Sequence, residues 1–403
     1  MGVQTEIDRI ITAVGAAYDA VEAKGGTAPT AQTIEGLAGA ISGIKSAPTT
    51  PYMEAEYVAV EDGGSTSHYI KRAKLYNHTA IYAHEFAQQG ELQNLDFSDA
   101  SNNITVIEEA AFEGAKVNGL VLPNTISALH RFCFSSAYVT TLTIPPLVTV
   151  LPESAFMYIQ QVYDTETGED LPINIILPQN LTRIGTSCFE AAAIKQIAIP
   201  DTVTEIGDNA FNYCDQLASI ALPPNLQKIS NRMLSGCMSL TSITIPASVT
   251  EIGRQAFSGS GLTSITIPST VTTLGSSAFN GCESLAHMDI QANVTEIPDG
   301  FAEESGRTSV TLPDTVETIG RSAFASYRAN LTEITIPASV TSIGDYAFAQ
   351  NEIIATVTCL AVTPPVFGRN ALLSTTIKVP AASVAAYKAA DGWKDYEIYI
   401  VAM

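Results

Sequence analysis

Residues 242–268 read SITIPASVTEIGRQAFSGSGLTSITIP, and the phrase Ser-Ile-Thr-Ile-Pro closes first at Pro246 and again, 22 residues on, at Pro268. The same beat extends in both directions. Prolines that close the phrase stand at 123, 145, 178, 200, 223, 246, 268, 313 and 337, with Gln291 in place of one of them. The gaps are 22 or 23 residues, except for 33 between Pro145 and Pro178 and 24 between Pro313 and Pro337. An Ala-Phe-like dipeptide keeps time with the prolines: Phe112, Phe134, Phe156, Phe189, Phe211, Phe257, Phe279, Phe301, Phe324 and Phe348, with Leu234 standing in once and Phe86 as an earlier, degenerate copy. A fixed period of this length is the signature of a stacked repeat, a solenoid.

Each position in the unit has a physical task. Ile243 and Ile245 alternate with Thr, which predicts a short strand with its isoleucines inward. Pro246 ends that strand where a missing N–H is tolerable. Val249, Ile252 and Phe257 then supply the core from the other limbs of the coil. Gly185, Gly207, Gly253, Gly275, Gly320 and Gly344 follow an apolar residue in their units, which predicts either a turn at positive φ or a close backbone approach. One unit cannot cover its own apolar residues; stacked units form a continuous core. Eleven or twelve coils at ~4.8 Å per strand spacing predict a rod of about 50 to 60 Å.

Residues outside the array divide the chain further. Residues 1–45 predict an α-helical hairpin: Ile7, Ile10, Ile11, Val14, Tyr18 and Val21 recur at helical spacing, and Gly25-Gly26 with Pro29 stop the first helix. That stripe is too short to bury itself and predicts attachment and oligomerisation, as a trimer. Residues 46–73 read as a linker and an extended pair of strands around Gly63-Gly64, residues 74–380 as the solenoid, and residues 381–403 as a C-terminal cap. In the cap, Ser383 to Ala390 reads as a short helix, with Tyr387 and Trp393 as its apolar lid.

The phrase LTSITIPASVTEIGRQAF resembles the BspA-like leucine-rich repeat, a family found in bacterial surface proteins, phages and some protists; the likeness spans about residues 75 to 400. The tail TPPVFGRNALLSTTIKVPAASVAAYKAADGWKDYEIYIVAM is similar to that family's terminal unit. The resemblance implies a leucine-rich repeat solenoid of short parallel strands with irregular turn limbs. The segment TEIDRIITAVGAAYDAVEAKGG, followed by TIEGLAGAISGI, resembles the helical start of phage and prophage tail-associated proteins.

Charge excludes some partners. With 20 Lys+Arg against 41 Asp+Glu the net charge is −21, a field that repels phosphate backbones and anionic membranes, so nucleic-acid binding and membrane insertion are not expected. The first residues carry Glu6, Asp8 and Arg9, which does not fit a secretory signal.

Catalytic constellations are sparse, and no cofactor is expected. His84-Glu85 begins like a zinc-protease helix but lacks the second histidine. Cys214, Cys237 and Cys282 share one repeat position, as a ladder of small buried side chains or, alternatively, with Cys214 and Cys237 paired. The 33-residue gap holds an insertion, QQVYDTETGEDLP, with Asp164, Glu166, Glu169 and Asp170 around Gly168. Its carboxylates suit solvent better than calcium, so no metal site is expected. Insertions in solenoids favour binding faces. Tyr138, Tyr158, Tyr163, Asp164 and Glu166 are therefore the candidate ligand-binding residues, with Tyr213 and Tyr327 in related turns.

These readings converge on a non-enzymatic binding and display protein. The leading expectation is a phage or prophage tail fibre or receptor-binding component. It would hold other virion or tail proteins through the N-terminal helices and contact a host surface protein or glycan. The alternative is a bacterial cell-surface adhesin of the BspA-like family. Location would be the virion tail or the extracellular cell surface.

Overall fold

The computed structural model describes residues 50–403 apart from 63–64, 91, 118–119, 165, 328–330 and 374. The helical hairpin expected over residues 1–45, with Ile7, Ile10, Ile11, Val14, Tyr18 and Val21, lies outside the described residues. The chain divides into two units, Met1–Tyr52 and Met53–Met403, and the repeat lies within the second.

Each coil has three limbs. In most coils the first carries a short strand such as Ser264–Ile267, which pairs in parallel with the same strand of the next coil, Ser264 opposite His287 and Ile267 opposite Ile290, whereas the strand expected at Ile243 and Ile245 is not formed. The burial of Ser264–Ile267 alternates, isoleucine in and Ser or Thr out, as the two-residue pleat requires. The closing proline turns the chain: the Val271 N–H donates to the Pro268 carbonyl at 3.0 Å. Where Gln291 replaces proline, its N–H donates to Ile267 in the preceding coil at 2.9 Å. The second limb carries another parallel ladder, for example Glu251–Ile252 paired with Thr273–Leu274.

Ser and Thr just before the turn valine tie successive coils together. Thr202 donates to the Leu181 carbonyl, Ser248 to Leu226 and Ser339 to Val316, at 2.6 to 2.7 Å. These hydroxyls satisfy carbonyls that no strand reaches.

The third limb is a run of tight turns that carries the phenylalanines. Their rings form a core ladder from Phe86 through Phe112, Phe134, Phe156 and Phe189 to Phe211, stacked with centroids 5.0 to 5.5 Å apart. Phe86 is thus a full member, and the solenoid has about 14 turns rather than eleven or twelve. In most coils two residues on this limb have positive φ, two before and two after the phenylalanine seat, as at Gln255 and Gly259 around Phe257.

The glycines after the second-limb Ile or Leu are explained by close approach. A Cβ on Gly275 would lie 2.3 Å from the Arg254 nitrogen, and one on Gly253 2.7 Å from that of Asn231. Backbone touches backbone there, and none of these glycines has positive φ.

One coil is filled out of step. Backbone hydrogen bonds put Ala302, not Phe301, in the phenylalanine seat: Phe279 N–H donates to the Phe301 carbonyl as Phe257 N–H does to Ala278. Phe301 therefore occupies the preceding seat, normally alanine or cysteine, and the expectation that it keeps the aromatic beat is corrected by one residue. Its ring turns edge-on to Phe279 and Phe324, at 76° and 81°.

Both ends of the core are covered. Strands Tyr52–Asp62 and Ser65–Tyr76 lie side by side at the start, the second paired with Asn94–Asp96. At the other end stand a helix, Val384–Ala389, and the strand Ile400–Ala402, which pairs with Thr376–Val379. Tyr387 and Trp393 are buried, and their polar atoms are used: the Tyr387 hydroxyl donates to Ala361, the Trp393 indole to Pro365, and the Tyr396 hydroxyl to Leu372, at 2.7 to 2.8 Å. The lid thus supplies the hydrogen bonds that a further coil would have made.

Candidate functional site

The reactive side chains of the array point inward. All six cysteines are free and buried. Cys214, Cys237 and Cys282 each donate a thiol hydrogen bond to a phenylalanine carbonyl one coil back (Phe189, Phe211 and Phe257), at 3.0 to 3.2 Å. Burial pushes Cys237 up to about 12 and Cys282 up to about 11, which keeps them as thiols. Of the two readings of Cys214 and Cys237, the structure has the ladder.

Two buried polar clusters were not read from the sequence. At the start of the array His78 is buried with Nδ1 2.9 Å from the Tyr76 carbonyl and Nε2 2.9 Å from the Glu85 carboxylate. The other Glu85 oxygen accepts the Tyr82 N–H at 2.8 Å. Burial opposes charge on His78, but the hydrogen bonds to Glu85 and Tyr76 outweigh it and its pKa is raised. Glu85 is thus tied to His78, while His84 is exposed.

The second cluster lies in the coil that is out of step. Arg307 is fully buried in the seat that other coils fill with Leu262 or Leu285. Its guanidinium donates to the Ala302 and Phe324 carbonyls and the Ser305 hydroxyl, and lies 5.4 Å from the Phe324 ring centre. Burial lowers its pKa, and Nε has no partner among the described residues. The missing ring of Ala302 leaves room for the longer side chain.

The outer face of the third limb carries two of the sequence candidates, Tyr138 and Tyr158, and the insertion carries the others. Tyr138 forms a parallel bridge to Gln160, which places Tyr138 and Tyr158 on consecutive coils. They are 39% and 48% exposed. The insertion is a small antiparallel hairpin, Val162–Asp164 with Glu169–Leu171. Tyr163 is exposed on it, with its hydroxyl near Gly168. Asp164 is already engaged: its carboxylate accepts the Glu166 N–H and the Thr167 hydroxyl, both at 2.9 Å, and these bonds lower its pKa. Glu166 is exposed.

Tyr213 belongs with Tyr158. Successive coils repeat one bond on this limb: Tyr158 N–H donates to Glu190, Ala191 to Asn212, Tyr213 to Ser235 and Gly236 to Ser258, at 2.7 to 2.8 Å. Tyr158, Ala191, Tyr213, Gly236, Gly259 and Gly281 are therefore one row, and all have positive φ. The Tyr213 ring lies against Gly236, where a Cβ would come within 2.6 Å of it, yet Tyr213 remains 60% exposed. The hydroxyls of Tyr138, Tyr158, Tyr163 and Tyr213 make no hydrogen bond among the described residues. Beyond Tyr213 the row continues as a shallow groove of about 360 Å³ along Met238, Gly259 and Gly281. Tyr327 is exposed on a later coil, one seat further along the turn.

Short parallel strands, a phenylalanine ladder and sealed ends define a leucine-rich-repeat solenoid. The chain belongs to the BspA type leucine rich repeat family, whose pattern matches residues 79–173, 171–261 and 228–355. Several solved structures are similar to it at low identity. A leucine-rich repeat protein from Bacteroides ovatus is 20% identical over 87% of this chain and 98% of its own, with a TM-score of 0.47. A leucine rich cell surface protein from Faecalibacterium prausnitzii is 20% identical over 89% and 95%, with a TM-score of 0.40. The pneumococcal vaccine antigen PcpA is 14% identical over 87% and 97%, with a TM-score of 0.34. No curated protein matches the chain.

Proposed function

We propose that the chain is a non-enzymatic binding and display protein of the bacterial cell surface, with the outer face of its third limb as the ligand-reading surface. One observation carries this reading. The thiols and the His78–Glu85 pair are committed to the core, whereas Tyr138, Tyr158 and Tyr213 stand outward with uncommitted hydroxyls. Exposed tyrosine supplies rigid, amphipathic contact area. Membership of a repeat family that occurs in bacterial surface proteins supports the location. The phage-tail expectation draws on residues 1–45, outside the described residues, and no observation on the solenoid favours it. Tyr163 and Glu166, on the hairpin, extend the proposed face; Asp164 shapes the hairpin turn.

The test has two parts. Immunolabelling and protease shaving of intact producing cells should detect the protein, and a protein found only after lysis overturns the surface location. Fluorescent full-length protein should bind at least one member of a panel of cells and immobilised glycans and lose that binding when Tyr138, Tyr158 and Tyr213 are changed to Ser. Undiminished binding by that variant removes the proposed face.

A further inference from the structure

We propose that Tyr158 and Tyr213 form a stacking platform for a neutral, extended β-linked polysaccharide lying along the solenoid axis. The inference rests on the binding role proposed for this limb and names its ligand class.

Register comes first. The two tyrosines occupy the same seat two coils apart, and the intervening coil spacings, measured on the core rings, are 5.2 and 5.4 Å. The seat between them holds Ala191, too small to interrupt a ligand laid across both rings. An extended β-linked glycan presents the same ring face every second sugar, over a length close to two coils. A solenoid and such a polymer are commensurate.

Ring presentation comes second. One edge of the Tyr213 ring lies against Gly236, yet the residue stays 60% exposed, so much of the ring is open to a ligand. The C–H face of a pyranose stacks on such a ring, and the free phenol can hydrogen-bond a neighbouring sugar hydroxyl. Both tyrosines sit at positive φ, 58° and 57°, in a seat that Gly236, Gly259 and Gly281 fill in later coils. A bulky residue is unfavourable there, which directs attention to what the ring does.

Charge and shape select the class. A net charge of −21 disfavours anionic glycans. An open row offers no enclosure for a small molecule. The floor of Ala191 and Gly236 gives a protein partner little apolar area for a central anchor.

Calorimetry of the full chain tests this with hexasaccharide probes: β-1,4-linked cellohexaose and chitohexaose, α-1,4-linked maltohexaose, and heparin as the anionic control. Binding of at least one β-linked probe is expected, with maltohexaose and heparin much weaker. Tyr158→Ala and Tyr213→Ala should each weaken it by about tenfold. Gly236→Ala should also weaken it: its Cβ would meet the Tyr213 ring at 2.6 Å and displace it, and the positive φ, at which Ala191 already stands in this row, costs stability without preventing folding. Circular dichroism should show all three variants folded. Tight binding of heparin, equal binding of maltohexaose, or β-glycan binding unchanged in folded variants overturns the proposal. If no neutral glycan binds but cell binding still depends on the tyrosines and is lost on protease treatment of the cells, the ligand is a protein. The surface role then survives and the glycan assignment does not.

Discussion

The coils around Phe189 and Phe211 and the coil that carries Ala302 share one backbone and are filled differently. In the first, rings stack 5.4 Å apart at 3°, and Leu217 and Ile194 complete an apolar interior. In the second, alanine sits in the ring's seat, Phe301 sits one seat early, and Arg307 replaces leucine. The difference teaches that hydrogen-bond register fixes the coil, while the core needs only matching volume. A missing ring is offset by a displaced ring and a longer side chain. The exchange leaves a guanidinium held by carbonyls and one hydroxyl, with no carboxylate bonded to it among the described residues. Such a group is held at the expense of its hydration.

The comparison breaks most severely by removing a ring from the regular stretch. Phe189→Ala opens a cavity between Phe156 and Phe211, whose rings lie 5.2 and 5.4 Å away. A loss of about 3–5 kcal/mol is expected, read from the urea midpoint by far-ultraviolet circular dichroism. A loss below 1 kcal/mol would mean that the ladder does not carry the core.

Next come the glycines, which divide by mechanism. Gly275→Ala drives a methyl into backbone at 2.3 Å, with no side chain able to yield. Roughly 2–3 kcal/mol should be lost, as for other overpacked sites. Gly259→Ala meets nothing closer than 3.8 Å and is strained only by its φ of 68°, so about 1 kcal/mol is expected. Equal losses in the two denaturation curves would contradict this division.

The out-of-step coil can be returned to register. Phe301→Ala with Ala302→Phe and Arg307→Leu restores the filling of its neighbours. The triple variant should gain roughly 2 kcal/mol, since well-packed apolar residues often replace buried charge favourably. Arg307→Leu alone should gain less, because the Ala302 seat stays empty. The three changes should be non-additive when compared by urea denaturation; additive effects would show that the seats do not share one space.

The solenoid was legible because proline, phenylalanine and glycine each mark a backbone event that recurs. The reversed Phe301-Ala302 pair was not, because Phe301 still falls on the 22-residue beat from Phe279; hydrogen bonds and the positive φ of Gly300 and Glu304, two residues either side of Ala302, distinguish the seats. The tyrosine row was half legible. Tyr138 and Tyr158 were singled out for lying beside an insertion. The seat of Tyr158, and its kinship with Tyr213, emerge from positive φ and from glycines two residues past Leu234, Phe257 and Phe279, a signal present in the sequence. The commitment of Asp164 to its own turn depends on local backbone geometry that spacing does not encode. His78 and Glu85 were missed because their pairing bridges the end of a long strand and the first turn limb, and no repeat position announces it.

The smallest expected effect sharpens the contrast between a buried cation with a carboxylate partner and one without. His78⁺ faces Glu85 at 2.9 Å, whereas Arg307 faces carbonyls and a hydroxyl. The folded pKa of His78 is raised above its ordinary 6.5. A base with a raised folded pKa contributes its stabilisation fully below the unfolded pKa and loses it as pH rises through the folded value. Stability of the full chain should therefore fall as pH rises from just below 6.5 to above the folded pKa of His78. His78→Gln should flatten that step, and Glu85→Gln should shrink it by removing the negative partner. Arg307→Leu should leave it intact, since Arg307 carries its charge throughout this range. A step of the same size in His78→Gln would assign the pH dependence to other groups and remove the contrast between the two buried cations.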